Sequence, residues 1–185
     1  MDRGHAYWMH AALRQAQKAR ALNEPPIGAV VVHAGRIIGR GCNQRESRQD
    51  VTLHAEMIAI RQASRRLGSW RLDGCVLYVT LEPCLMCAGA IIQARIGQLV
   101  YGAKDPKAGA CGSLTDVFGL PLNHQTAVVP DVLAAECAAV LRDFFRSRRL
   151  LDKAVGSRAV RRAAAIRDNQ ARRQSGPQPV PGRTD

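Results

Sequence analysis

The chain has 185 residues, a 46% hydrophobic fraction and a formal net charge of +12. That length suits one domain with its own core, and the apolar content excludes wholesale disorder. The longest apolar run, Ile27 to Val32, falls far short of a membrane span, and no secretory h-region follows the first residues. A cytoplasmic protein with no membrane partner is expected, in which six cysteines point to metal or buried thiols rather than disulfides.

The positive charge is spread along the chain. Residues 1–150 carry 19 Lys/Arg against 12 Asp/Glu, and residues 151–185 carry 8 against 3. Such a balance concentrates polyanions near the surface. A solvated basic surface also serves solubility, so charge supports a nucleic-acid partner without establishing one.

Tyr7, Trp8, Ala11, Ala12, Gln15, Ala16 and Ala19 recur at helical spacing, predicting an amphipathic helix over residues 5–22. Asn23-Glu24-Pro25-Pro26 stops it, because proline cannot continue the hydrogen-bond ladder. Ile27–His33 and Arg36–Gly41 flank Ala34-Gly35 as a hairpin, and a loop from Asn43 to Thr52 follows. A second helix is expected from His54 to Leu67, closed by Gly68. The nearly continuous apolar run Cys75–Leu81 predicts a strand covered on both faces. Pro83 suits the first turn of a helix over Cys84–Ala94. Short strands at Gln98–Gly102 and Ala127–Val129 bracket a loop at 103–113, and a last helix is expected from Asp131 to Leu150. This alternation predicts an α/β protein, a three-layer α/β/α sandwich around one five-stranded mixed sheet. A domain over 1–151 is followed by a tail, 152–185, that is Ala/Arg-rich and then Pro-rich. Composition predicts that this tail is partly or wholly disordered, with 158–173 able to form a basic helix.

The residues that carry chemistry are His54-Ala55-Glu56 and Pro83-Cys84-Leu85-Met86-Cys87. One imidazole and two thiolates make a three-ligand zinc set and leave a fourth tetrahedral position for water. Cys84 and Cys87, three apart, share a helix face, and a helix's first turn favours the thiolate form. His54 and Glu56, two apart, would point to opposite sides of a regular helix. The site therefore requires His54 at the helix entrance, before regular geometry begins. Glu56 then stands beside the metal as a proton carrier rather than as a ligand. A closed zinc knuckle or unrelated buried thiols is the plainer reading, but a closed site needs a fourth ligand. Cys75 and Cys137 read more simply as core residues.

His-x-Glu with Pro-Cys-x-x-Cys is a known signature of zinc nucleobase deaminases, and the chain resembles the cytidine-deaminase-like superfamily. Within it the chain resembles the bacterial tRNA-specific adenosine deaminases, from about Tyr7 to Arg146. The narrower likeness rests on Pro26-Ile27-Gly28-Ala29-Val30, Gly41-Cys42-Asn43, Val79–Ala90 and, above all, Tyr101–Ala110 with Gly112-Ser113. It implies one Zn²⁺ per subunit on His54, Cys84 and Cys87, with Glu56 as proton shuttle. It further implies that Asn43, Ile27 and Ala55 bind the substrate base and that Asp105 lies near the flanking nucleotides. Lys104, Lys107, Phe144 and Arg146 become candidate RNA contacts; Phe144 and Phe145 can both stack on bases, with core packing the plainer reading for at least one of them. The expected partners are the tRNA anticodon loop and a second copy of the chain. Cys42, Cys111, Arg45 and Glu46 depart from the family pattern at positions that touch substrate fit or dimer packing.

The expected reaction is hydrolytic deamination of the wobble adenosine to inosine, the base being flipped out of a single-stranded loop. A deaminase of a free base or nucleoside is the nearest alternative, and the 101–113 loop speaks against it. A catalytically dead zinc scaffold is a second, against which stands the intact Glu56.

Overall fold

The computed structural model describes residues 4–174, with side chains up to residue 156. Two compact units divide the chain, Met1–Phe145 and Arg146–Asp185. In the first, helix α1 (His5–Ala21) leads to strands β1 (Gly28–His33) and β2 (Arg36–Cys42). A one-turn helix α2 (Arg45–Arg48) and helix α3 (Ala55–Leu67) follow, then β3 (Val76–Leu81), α4 (Leu85–Gln93), β4 (Gln98–Ala103) and β5 (Ala127–Val129). Helix α5 (Ala134–Gln174) begins in this unit and accounts for the described part of the second.

The expected five-stranded mixed sheet is present in the order β2-β1-β3-β4-β5. β1 pairs antiparallel with both β2 and β3, while β3/β4 and β4/β5 are parallel. Ala34 and Gly35 close the β1–β2 hairpin with φ of 46° and 70°, the left-handed pair that a tight turn between twisted strands requires.

Both faces of the sheet are covered, as the apolar run of β3 implies. Ala29, Val31, Leu77, Val79, Leu99 and Tyr101 face one way, onto Ala55, Ala59 and Ala63 of α3 and Ile91 of α4. The alternate residues Val30, Val32, Tyr78 and Val100 face Trp8, Met9 and Ala12 of α1 and Cys137 of α5. Period-two alternation along each strand thus sorts residues into two cores. Helices approach the sheet closely where it carries glycine. A Cβ on Gly28 would overlap the Ala12 carbonyl, and one on Gly41 would overlap the Ala55 carbonyl.

Three sequence expectations change. The Asn43–Thr52 segment contains α2 rather than loop alone. The last helix cannot begin at Asp131, because Asp131 and Leu133 adopt φ of 63° and 53°, outside right-handed helical geometry. Its far end lies beyond Leu150, at Gln174, so it takes in the 158–173 segment. The Pro-rich end of the tail, 175–185, lies outside the described residues.

Candidate active site

The site forms where two helix N-termini meet. His54 is the N-cap of α3, with extended φ −75° and ψ 155°. Its carbonyl accepts the first helical bond, from Ile58 N at 3.1 Å. The side chain is thereby released from helical geometry, and His54 and Glu56 reach one place although two residues apart. Cys84 plays the same part at α4, with φ −75° and ψ 172°, and its carbonyl accepts from Ala88 N. Cys84 is therefore a cap rather than a first-turn residue, and Pro83 precedes it outside the helix. Only Cys87 lies in the first turn.

His54 Nδ1 lies 3.6 Å from Cys84 Sγ and 3.5 Å from Cys87 Sγ. All three ligand atoms are within 4.8 Å of one another, the single such group among the described residues. Zinc bonds of about 2.0–2.1 Å to nitrogen and 2.3 Å to sulfur, at the tetrahedral angle, separate N from S by roughly 3.6 Å. The donor set fits a zinc ion with one coordination position left for an exogenous ligand.

Glu56 is 4% exposed on the first turn of α3. Burial pushes its carboxyl above the usual carboxylate range, and the neighbouring His54 charge opposes that shift. A hydrogen bond with Cys87 holds the Cys84 thiol down at about 4, while the same bond, together with burial, pushes Cys87 far up. The bond to Cys84 raises His54. Both sulfurs ligate a divalent cation as thiolates, so metal uptake at this site is coupled to proton release.

Asn43 directly follows β2. It is 4% exposed, and its backbone N donates to Ile27 O at 3.0 Å. Ile27 is half-buried against the α3 core, and Ala55, wholly buried, opens α3. The next residue, Gln44, donates its N to Leu53 O at 3.0 Å, tying this loop to the residue before His54. Beneath Asn43 lies Glu24, 0% exposed, which accepts from Asn43 Nδ2 at 3.0 Å and from Ser47 N.

The 103–113 loop packs against the start of α4. Buried Glu82 accepts from Asp105 N at 3.0 Å, Cys111 N at 2.9 Å, Ser113 N at 3.1 Å and Ser113 Oγ. Burial alone would raise its pKa, but the bonds from Ser113 and the backbone amides hold it below the usual range. Ala110 N donates to Pro83 O at 2.8 Å, and Gly109 bridges to Cys84. Asp105 caps its own loop, accepting from Lys107 N and Ala108 N. Sequence reasoning passed over the roles of Glu24 and Glu82. The one local signal is that each precedes a proline, Pro25 or Pro83, which biases the Glu backbone towards extended geometry.

Among the RNA-contact candidates, Lys104 and Lys107 are exposed, and Lys104 lies 3.8 Å from Asp131. Phe144 is 7% exposed and packs edge-on against Phe145, which is 45% exposed. Arg146, exposed, belongs to the second unit. Cys75 and Cys137 are buried in the core, as expected, each 1% exposed.

This sheet, carrying an imidazole and two thiols at two helix N-termini with a buried glutamate beside them, defines a zinc-dependent deaminase. The model of the MafB19-like deaminase family matches residues 3–149. The chain is 48% identical over 148 residues to a tRNA-specific adenosine deaminase of Bacillus subtilis, covering 80% of this chain and 92% of the relative. It is 50% identical over 147 residues to the tRNA-specific adenosine deaminase of Agrobacterium fabrum, covering 79% and 97%. A solved structure from work on A-to-I editing by tRNA:A34 deaminases superposes with a TM-score of 0.71 at 46% identity, over 74% of this chain and all of that one. A guanine deaminase of Nitrosomonas europaea superposes at 0.65 with 25% identity, over 78% and 86%. The chain belongs to the MafB19-like deaminases and, among them, to the tRNA-specific adenosine deaminase family.

Proposed function

We infer that this chain converts the wobble adenosine of a tRNA anticodon loop to inosine by hydrolytic deamination. The observation that carries the reading is the His54/Cys84/Cys87 cluster at zinc-ligand spacing, with buried Glu56 beside it. Near full-length similarity to adenosine deaminases specific for tRNA, at about twice the identity to the guanine deaminase, supports the substrate.

His54, Cys84 and Cys87 hold the metal. When bound, zinc lowers the pKa of water towards neutrality and so supplies the nucleophile for C6. The chain's own groups do the rest. Glu56 takes a proton on its carboxylate, delivers it to the purine ring nitrogen, and then assists departure of ammonia. Asn43 reads the base edge, offering both a donor and an acceptor, while Ile27 and Ala55 border the base. Asp105 and its loop lie against the flanking nucleotides, with Lys104, Lys107, Phe145 and Arg146 towards the RNA backbone and bases. Residues 1–151 carry catalysis, and the basic tail 152–185 adds affinity for RNA of any sequence. The enzyme acts in the cytoplasm as a homodimer. Exposed Leu85 and Leu114, 58% and 62% accessible, are apolar side chains suited to cover by a second copy.

The test is an inosine assay on an anticodon stem-loop RNA with adenosine at the wobble position, run beside free adenosine, guanine and cytidine. Inosine from the RNA alone, lost in Glu56→Ala with zinc retained, is the expected result. Turnover of a free base with inert RNA moves the chain to the small-molecule deaminases. Silence on all substrates makes it a zinc scaffold.

A further inference from the structure

The Asn43 side chain meets a carboxylate that belongs to a residue outside the zinc chemistry. Glu24 follows the end of α1, where its backbone N is held by Ala19 O at 3.0 Å, and its side chain is wholly buried. One carboxylate oxygen accepts from Ser47 N in α2, and the other accepts from Asn43 Nδ2. We propose that Glu24 is a positioning residue for the reaction: its carboxylate locks the Asn43 amide in one of two orientations and so sets the pattern that the base meets. The proposal rests on the reading of Asn43 as the residue that contacts the base.

A primary amide has two orientations of nearly equal shape, which exchange the carbonyl oxygen for the NH₂ group. A carboxylate offers acceptors alone. With Nδ2 towards Glu24 the contact is a charge-assisted hydrogen bond; with Oδ1 towards it, two acceptors oppose each other in a buried place, at full desolvation cost. Rotation of the carboxylate does not relieve this, because both of its oxygens are acceptors, and one of them is already held by Ser47 N. The Asn43 backbone is held as well, through Ile27 O. What remains for the base is therefore Oδ1 and the second Nδ2 proton, in fixed places.

Glu24→Gln changes one atom. The surviving oxygen is claimed by Ser47 N, so the new NH₂ faces the Asn43 NH₂, and the favourable response is an Asn43 flip that inverts its pattern. The experiment measures kcat and KM for the zinc-loaded, full-length protein on the wobble-adenosine stem-loop, in Glu24→Gln, Asn43→Ala and the double variant. The expected loss in kcat/KM for Glu24→Gln is roughly 10- to 100-fold, as for a mispaired buried hydrogen bond, with zinc content unchanged. The decisive comparison is the second mutation's effect in the Asn43→Ala background, where Glu24→Gln should cost less than about twofold, since it acts through a side chain already gone. Equal losses in both backgrounds mean that Glu24 supports only local folding, and they overturn the proposal. Wild-type activity of Glu24→Gln overturns it too, while the reading of Asn43 stands if Asn43→Ala remains impaired. Wild-type activity of Asn43→Ala overturns both. If Glu24→Gln does not fold, the side-chain amide NMR signals of the unmutated holoenzyme decide. A slowly exchanging, low-field Nδ2 proton on Asn43 supports the lock, and a freely exchanging pair refutes it.

Discussion

At the scale of single residues, the site separates holding a metal from moving a proton. Cys84 and Cys87 sit with His54 at ligand distances, whereas Glu56 is buried next to them with a carboxyl whose proton affinity burial has raised. The two roles should part on mutation. Glu56→Ala is expected to retain about one zinc per chain while kcat falls on the order of 10²- to 10⁴-fold, the usual contribution of a positioned general acid–base. Cys84→Ala should lose both metal and activity, because two remaining ligands cannot hold the ion. Metal content by elemental analysis, set beside single-turnover rates, checks the pair. Equal zinc loss in both variants would place Glu56 among the ligands instead.

At the scale of elements, tight seating of helices on the sheet sets where the site residues stand. Gly41 lets α3 approach β2 so closely that a methyl group there would strike the Ala55 carbonyl, one residue beyond His54. Gly41→Ala should destabilise the fold by about 1–3 kcal/mol, the range for overpacking a core, and should weaken zinc binding because His54 shifts with the helix end. Urea unfolding of the metal-free protein measures the first effect and a chelator competition the second. The 103–113 loop depends on Glu82 in a different way, since that carboxylate gathers the Asp105, Cys111 and Ser113 amides. Glu82→Ala orphans these donors, at about 1–3 kcal/mol for each one that stays buried. Limited proteolysis should then cut within 105–113 under conditions that leave the parent chain intact.

At the scale of the whole molecule, part of the positive charge lies outside the stretch that holds the site residues. The stretch after Gly156 holds seven Arg against two Asp and includes none of the site residues. Truncation after Gly156 should leave kcat unchanged and weaken RNA binding at low salt. The slope of log affinity against log salt should also become shallower, because fewer counterions are released. Binding measured from about 50 to 200 mM salt decides it; an unaltered slope shows that the tail does not touch the RNA. No helix among the described residues is long and apolar enough to cross a membrane.

The sequence by itself determined the order of the elements other than the one-turn α2, the mixed sheet's composition and the zinc chemistry. Each of these is local: apolar periods of two and 3.6 mark strands and helices, and His-x-Glu and Pro-Cys-x-x-Cys put ligands at chain turns. Even the requirement that His54 precede its helix follows from the two-residue spacing to Glu56. Tertiary structure alone decided which polar groups met. Glu24 is 19 residues from Asn43, and Glu82 is 31 from Ser113, so no periodicity links either pair. Their bonds exist because sheet pairing and helix seating fold distant loops over the same buried carboxylates. The same holds for Phe144 and Phe145, adjacent in sequence yet one buried and one exposed, because side chains 100° apart on a helix meet different surroundings.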